Sequence, residues 1–175
     1  MYNDETLYAD GARLPLGDGS IRLCRVKTRD EKRIRIYGKK TADGKHLLCM
    51  ASGIENDDEA YRTAVTGWLR NYARIKLGEK AHHFAIQMQV TINRIAIKEQ
   101  KTRWGSCSSL GNLNFNWKLV LMPESIQDYV VVHELAHRKQ MNHSGAFWQE
   151  VAKTLPDYNA RRKWLKEHEH EFIKY

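Results

Sequence analysis

One stretch constrains this chain more than any other: Tyr129-Val130-Val131-Val132-His133-Glu134-Leu135-Ala136-His137-Arg138-Lys139-Gln140-Met141-Asn142-His143, which contains H-E-x-x-H. On an α-helix His133 and His137 lie one turn apart on the same face, so both imidazoles can reach a single metal ion. Glu134 is rotated about 100° from His133, off the ligand line but close enough to reach water at the metal. Zinc-assisted hydrolysis needs this set: neutral nitrogen ligands and a carboxylate left free to take a proton. The plainer alternative, histidines satisfied at a core edge, fits poorly on so apolar a helix with a third His at a usable offset.

A zinc ion usually needs a third protein ligand, and His143 has the right chain position for it, giving H-E-x-x-H-x-x-x-x-x-H. A straight helix would carry it roughly 15 Å along the axis from His133, whereas zinc ligands lie within roughly 3 to 4 Å of each other. The helix must therefore end near Met141 and fold back. Asn142 is the residue there that tolerates the left-handed C′ conformation, and Arg138 and Lys139 suit the negative end of the helix dipole.

A chain of 175 residues fits one domain, 1–175, and folding buries on the order of 70% of its unfolded surface, enough for a core without staples. At 42% hydrophobic and 29% charged, the composition is that of a soluble globular protein. Met1-Tyr2-Asn3-Asp4-Glu5 has neither a basic region nor an apolar run, and no stretch of about eighteen apolar residues occurs, so a cytoplasmic location and no membrane span are expected. Cys24, Cys49 and Cys107 are odd in number and form no C-x-x-C, so neither a disulfide framework nor a cysteine zinc site is indicated. The net charge of +8 is concentrated, with ten Lys or Arg against three acids between Arg22 and Lys45. Such a patch can make nucleic-acid contact. The favoured reading is a solvated sheet face whose basic residues discourage edge pairing.

Residues 1–19 carry Gly11, Pro15, Gly17 and Gly19 and read as an irregular arm or a loose strand. Ile21–Val26, Arg33–Gly38 and His46–Ala51, separated by turn signals at 28–30 and 43–44, read as a small antiparallel meander. Asn56 with Asp57, Asp58 and Glu59 starts a helix expected over about 57–77, with Tyr61, Ala64, Val65, Trp68, Leu69, Tyr72 and Ile75 on one face and Gly78 as the stop. Phe84, Ile86, Met88, Val90 and Ile92 alternate and are continued by Ile95 and Ile97, predicting one bulged strand or two; His82 and His83 before them read as an exposed hinge. Leu113, Phe115, Trp117, Leu119 and Leu121 alternate as the cleanest strand signal, followed by Pro123 at the start of the metal helix. Ser144 and Asp157 are positioned to cap two further helices, one with Phe147, Trp148, Val151, Ala152 and Leu155 inward, the other with Ala160, Trp164, Leu165, His168 and Phe172.

Lys101-Thr102-Arg103-Trp104-Gly105-Ser106-Cys107, Leu113-Asn114, Val131–His137, Asn142-His143-Ser144 and Phe147-Trp148 together resemble the signature blocks of the YgjP-like metallopeptidase-domain family, compact zinc hydrolases similar to the SprT-like and Wss-type zincins. The resemblance is strong over the C-terminal half and rests on element order alone before it. It implies an α+β fold, a mainly antiparallel sheet packed against the H-E-x-x-H helix and further helices. It also implies zinc (Zn2+) held by His133, His137 and His143, with Glu134 as catalytic base. The long metzincin pattern is similar in its third His, but Gln140 stands where that pattern has Gly. Glu150 on the following helix is the alternative third ligand, as in zincins that use a distant Glu.

The function expected is a zinc-dependent hydrolase, a metallopeptidase in which Glu134 takes the water proton and passes it to the leaving group. The strand Leu113 to Trp117 could offer an edge for an extended peptide, an idea lost if it is paired on both sides. Trp104 to Cys107 reads as a structural turn near the site, because Ser106 or Cys107 as nucleophile would need a base not already committed to the metal. Arg103, Trp104, Ser106, Cys107 and Asn114 are candidates for substrate contact or site support. Two alternatives stand beside the peptidase: a phosphoanhydride hydrolase acting on nucleoside triphosphates, and a nucleic-acid or protein-binding module with a structural zinc, for which Glu134 would have no use.

Overall fold

The computed structural model describes residues 7–28, 35–42, 46–53, 58–100 and 102–175. Its order is β1 (Arg13–Leu16), β2 (Gly19–Lys27), β3 (Arg35–Lys40), β4 (His46–Ser52), α1 (Asp58–Met88), β5 (Arg94–Lys98), β6 (Gly105–Cys107), β7 (Asn112–Asn116), a 3₁₀ turn (Trp117–Leu121), α2 (Glu124–Ala136), α3 (Gly145–Thr154) and α4 (Tyr158–Ile173). The class is α+β. Three of the five strand pairings among the described residues are antiparallel, and the strands form two sheets, not one.

The first sheet has the order β1-β2-β4-β3, with β2 and β4 parallel. The expected meander is thus corrected, because β4 inserts between β2 and β3. The cause lies in β4, whose consecutive Leu48, Cys49, Met50 and Ala51 are all buried and so demand cover on both faces. Arg35, Lys39 and Lys40 put β3 at the edge, where charge guards unpaired backbone. Cys24 and Cys49 are free thiols opposite each other in the β2–β4 register. The loose arm becomes β1 of a hairpin whose tight turn uses Gly17 at φ 57°. That turn docks on α2: Glu124 N–H donates to Asp18 Oδ1 at 3.0 Å, meeting one of the unpaired amides at the start of that helix.

Helix α1 runs to Met88, ten residues past the expected stop at Gly78. Its inner stripe continues as Leu77, Ala81, Ala85 and Met88, all buried, at helical spacing, so packing overrides both the glycine and the alternation that predicted a strand at 84–92. Ile75, expected on the inner face of the helix, is solvent-exposed, as is Ile86 of the expected strand alternation. The helix ends where Gln89 takes φ 56° and the Val90 amide donates to the Ala85 carbonyl, a left-handed cap. The expected cap at Asn56 and the turn at 43–44 lie outside the described residues.

The second sheet has the order β5-β7-β6, with β5 parallel and β6 antiparallel to the central β7. β7 stops at Asn116, short of the expected strand to Leu121. Asn116 Oδ1 accepts from the Lys118 amide and starts the 3₁₀ turn, in which Leu119, Val120 and Leu121 are all buried, ending the alternation. Both sheets, α1, the turn and α2 share one apolar cluster that includes Leu23, Leu48, Leu69, Phe115, Trp117 and Val131. Among the described residues no helix is long and apolar enough to cross a membrane.

Candidate metal centre and cleft

Helix α2 is set deep in the core by Val131, Val132, Leu135 and Ala136, each fully buried. This fixes the helix rotation, so that His133 and Glu134 line a small cleft while His137 stands one turn on. The helix stops at Ala136, five residues before the expected end at Met141. His137 caps it, and the amides of Arg138, Lys139 and Gln140 turn back onto the carbonyls of Leu135 and Ala136. Asn142 does not take positive φ, so the left-handed cap expected there is corrected. Side-chain tethers hold the early stop instead: Arg138 donates to the carbonyls of Thr91 at 3.0 Å and Ser109 at 2.6 Å, and His137 Nδ1 lies 3.1 Å from the Gln140 carbonyl.

The fold-back brings His143 to the other two rings. Nitrogen atoms of His133, His137 and His143 all lie within 4.8 Å of one another. Nε2 of His133 and Nε2 of His143 are 3.0 Å apart. With Nδ1 of His137 donating to Gln140, its Nε2 carries the lone pair, as a ligand nitrogen must. Phe147 of α3 lies against all three imidazoles at centroid distances of 4.9, 4.7 and 4.7 Å, and Trp148 stacks on His143 at 5.8 Å. Burial and the neighbouring His137, His143 and Arg162 push His133 down to about 3, and burial also lowers His137. Both are neutral at pH 7. Three convergent imidazoles, two of them held neutral, fit a divalent transition-metal ion such as zinc.

Glu134 is only 6% exposed, and burial raises it to about 8, with Arg103 pulling the other way. Its position comes from Gly105 at the start of β6, where a methyl group would meet the Glu134 carboxylate at 2.7 Å. The sequence pattern places Gly105 only in a turn; a strand that must pass a buried carboxylate at backbone distance is the reason it is glycine. A cleft of about 240 Å³ opens there, walled by Arg103, Trp104, Tyr129, Val130 and Leu165 beside His133 and Glu134. Tyr129 was not among the sequence candidates, although it lies four residues before His133 and so on its face; burial raises its phenol to about 12, keeping it protonated.

The remaining candidates divide. Trp104 donates from Nε1 to Glu169 on α4 at 2.8 Å, closing one wall of the cleft. Residues 105–107 are a short strand, not the expected turn. Ser106 Oγ accepts from Asn114 Nδ2 at 3.1 Å, a cross-strand bond between β6 and β7. Cys107 is raised by burial and by Glu134, which keeps it a thiol and a poor nucleophile. Glu150 is not at the centre: it binds Lys139 at 3.0 Å and Lys153. β7 is paired on both sides, so the peptide-docking edge expected at Leu113 to Trp117 is lost; the edge strands of this sheet are β5 and β6, and β6 is the one that carries Gly105 beside Glu134. In the basic N-terminal region Arg25 is occupied by Asp58 at 2.6 Å and by the Tyr61 ring.

The model of the YgjP-like, metallopeptidase domain family matches residues 2–168. Two solved structures are similar over 52% of the chain. One is the metallopeptidase zymogen abylysin of Pyrococcus abyssi, at 21% identity, 93% of that chain and TM-score 0.47. The other is the zymogen jannalysin of Methanocaldococcus jannaschii, at 23% identity, 94% of that chain and TM-score 0.46. No curated protein matches.

Proposed function

The chain belongs to the YgjP-like metallopeptidase-domain family, a family that implies a catalytic metal, and from that premise we propose that it is a zinc-dependent peptidase with His133, His137 and His143 as metal ligands and Glu134 as general base. The observation that carries the reading is the juxtaposition of a buried, clamped carboxylate with three convergent imidazoles. A purely structural zinc site has no use for such a carboxylate, and burying it costs free energy that hydrolysis explains.

When bound, zinc supplies Lewis-acid polarisation of a carbonyl oxygen and acidification of water. Glu134 holds its carboxylate against the Gly105 backbone, accepts the proton of the attacking water and delivers it to the leaving amine. Phe147 and Trp148 fix the imidazole planes and keep bulk water from that side. Substrate orientation falls to β6, whose outer edge is unpaired among the described residues and lies against α2 at Glu134, so an extended peptide can add to the sheet and present its carbonyl beside the carboxylate.

The test is peptide cleavage by the zinc-loaded chain, with Glu134→Gln as the control. Casein should be cut by the wild type and turnover should fall at least about 100-fold in the variant, the usual scale for removing a general base, while zinc content by elemental analysis stays the same. Phosphate release from nucleoside triphosphates without peptide cleavage would replace the reading with the phosphoanhydride one.

A further inference from the structure

We propose that Arg103 is the specificity-determining residue of this cleft, and that the substrate it selects is a peptide with an acidic side chain next to the scissile bond; this rests on the peptidase reading above. Arg103 stands where two cavities meet. One is the 240 Å³ cleft holding His133 and Glu134, and the other, about 610 Å³, lies along Glu99, Asn116, Lys118 and Glu169; Arg103 and Trp104 line both.

Its guanidinium has no hydrogen-bond or ion-pair partner among the described residues, whereas Arg138 and Arg161 beside α2 are occupied. Arg138 binds two backbone carbonyls, and Arg161 binds Asp157 at 2.9 Å and the Ser125 carbonyl at 3.0 Å. The acids that could answer Arg103 are already taken. Glu99 pairs with Arg70 and with Lys118, Glu169 accepts from Trp104, and Glu134 is the only carboxylate lining the smaller cleft among the described residues. A second cation, Arg162 of α4, sits over the Trp148 ring at 4.6 Å and also has no acidic partner among the described residues. Apart from its longer-range pull on Glu134, Arg103 therefore presents a cleft wall with no ion pair of its own, and Arg162 adds positive charge nearby, which favours an anionic ligand and penalises a cationic one.

The free edge of β6 decides between anions. Arg103 lies two residues before Gly105, so a chain paired along β6 passes it within one or two residues of the bond beside Glu134. A carboxylate side chain on that peptide meets a planar fork suited to it. A nucleotide has no backbone to use the edge.

The experiment compares pairs of quenched fluorescent peptides that differ only by Glu against Gln at the residues flanking the cleaved bond, with zinc-loaded full-length protein. The expected result is a preference for the Glu peptide of about tenfold in kcat/KM, the scale of one charge-assisted contact. Arg103→Gln should bring the ratio near one, Arg103→Lys should keep part of it, and Arg103→Glu should favour a Lys peptide. Arg74→Gln, which removes an exposed charge from α1, should leave the ratio intact. A ratio near one in the wild type, or a ratio unchanged by Arg103→Gln, overturns the assignment while leaving the peptidase reading standing. Absence of any peptide cleavage with hydrolysis of nucleoside triphosphates overturns both. Because the readout is a ratio, a general effect of Arg103 on Glu134 would move both peptides equally and would not imitate the expected result.

Discussion

Glu134 and Gly105 touch so closely that a single methyl group on the glycine would lie 2.7 Å from the Glu134 side chain, less than any carbon contact allows. The edge strand and the metal helix are thus fitted to each other at the one residue expected to move a proton. The position of the carboxylate is set by the backbone of β6 as much as by its own helix.

Gly105→Ala should therefore damage chemistry more than metal binding. The added methyl has to displace the carboxylate or push β6 away from α2, and overpacking of this kind costs about 1–3 kcal/mol. The expected outcome is a lower unfolding midpoint, a fall in kcat of at least about tenfold as the base leaves its position, and unchanged zinc content. Full activity in the alanine variant would show that Glu134 does not need this clamp.

His143→Ala should separate the third ligand from the first two. His143 reaches the site only through the turn held by Arg138 and His137, and its loss leaves two imidazoles on one helix. Zinc at 100 times its dissociation constant stabilises a folded chain by about 2.7 kcal/mol. That shift should be present in thermal melts of the wild type and nearly absent in the variant at the same zinc concentration, with less than stoichiometric zinc by elemental analysis. Glu150→Ala should retain the shift, because that carboxylate is engaged by lysines.

The parts of this fold that could be read in the chain are those in which a local pattern and its tertiary setting agree. H-E-x-x-H needs only the helical period, and the run of valines before it guarantees that the helix is buried. The long alternation from Phe84 to Ile92 misled because period two also occurs by chance on a helix whose outer face carries apolar residues such as Ile86. The strand order failed for a different reason: the pairing of β2 with β4 is a long-range choice made by burial of both faces of β4. The clamp on Glu134 was invisible because nothing local marks which glycine will face which carboxylate. Tyr129 stands one turn before His133 and so on its face, but a tyrosine at that spacing reads equally well as core.

Gly78→Ala tests the corrected length of α1 directly. Gly78 lies inside the helix, with nothing within 4 Å of where a methyl would project. Glycine in a helix interior is worse than alanine by roughly 0.5–1 kcal/mol, so the substitution should raise the unfolding free energy by that amount, seen as a higher denaturation midpoint at unchanged slope. Were Gly78 the left-handed stop that the sequence pattern implies, alanine would instead destabilise.

The pH dependence of the zinc-free chain follows from two groups that pull in opposite directions. His133 is depressed to about 3, so in acid the unfolded chain takes up a proton that the folded one refuses, and its contribution is lost as pH falls from about 6.5 towards 3. Glu134 is raised to about 8 by burial, so the folded chain holds a proton that the unfolded one releases. Its contribution is present below about 4.5 and is lost as pH rises towards 8. Between about 4.5 and 6.5 the two slopes oppose each other. From 6.5 to 8 only the Glu134 slope remains, about 1.4 kcal/mol per unit at most and so up to about 2 kcal/mol in all. Glu134→Gln replaces the protonated acid by a neutral amide of the same shape and should remove that slope. Urea midpoints of the zinc-free proteins at pH 6.5 and pH 8 decide the matter: the wild type should lose stability across the interval and the variant should not. Parallel behaviour of the two would mean that the carboxylate is already ionised in the folded chain and that burial by Gly105 is not what governs it.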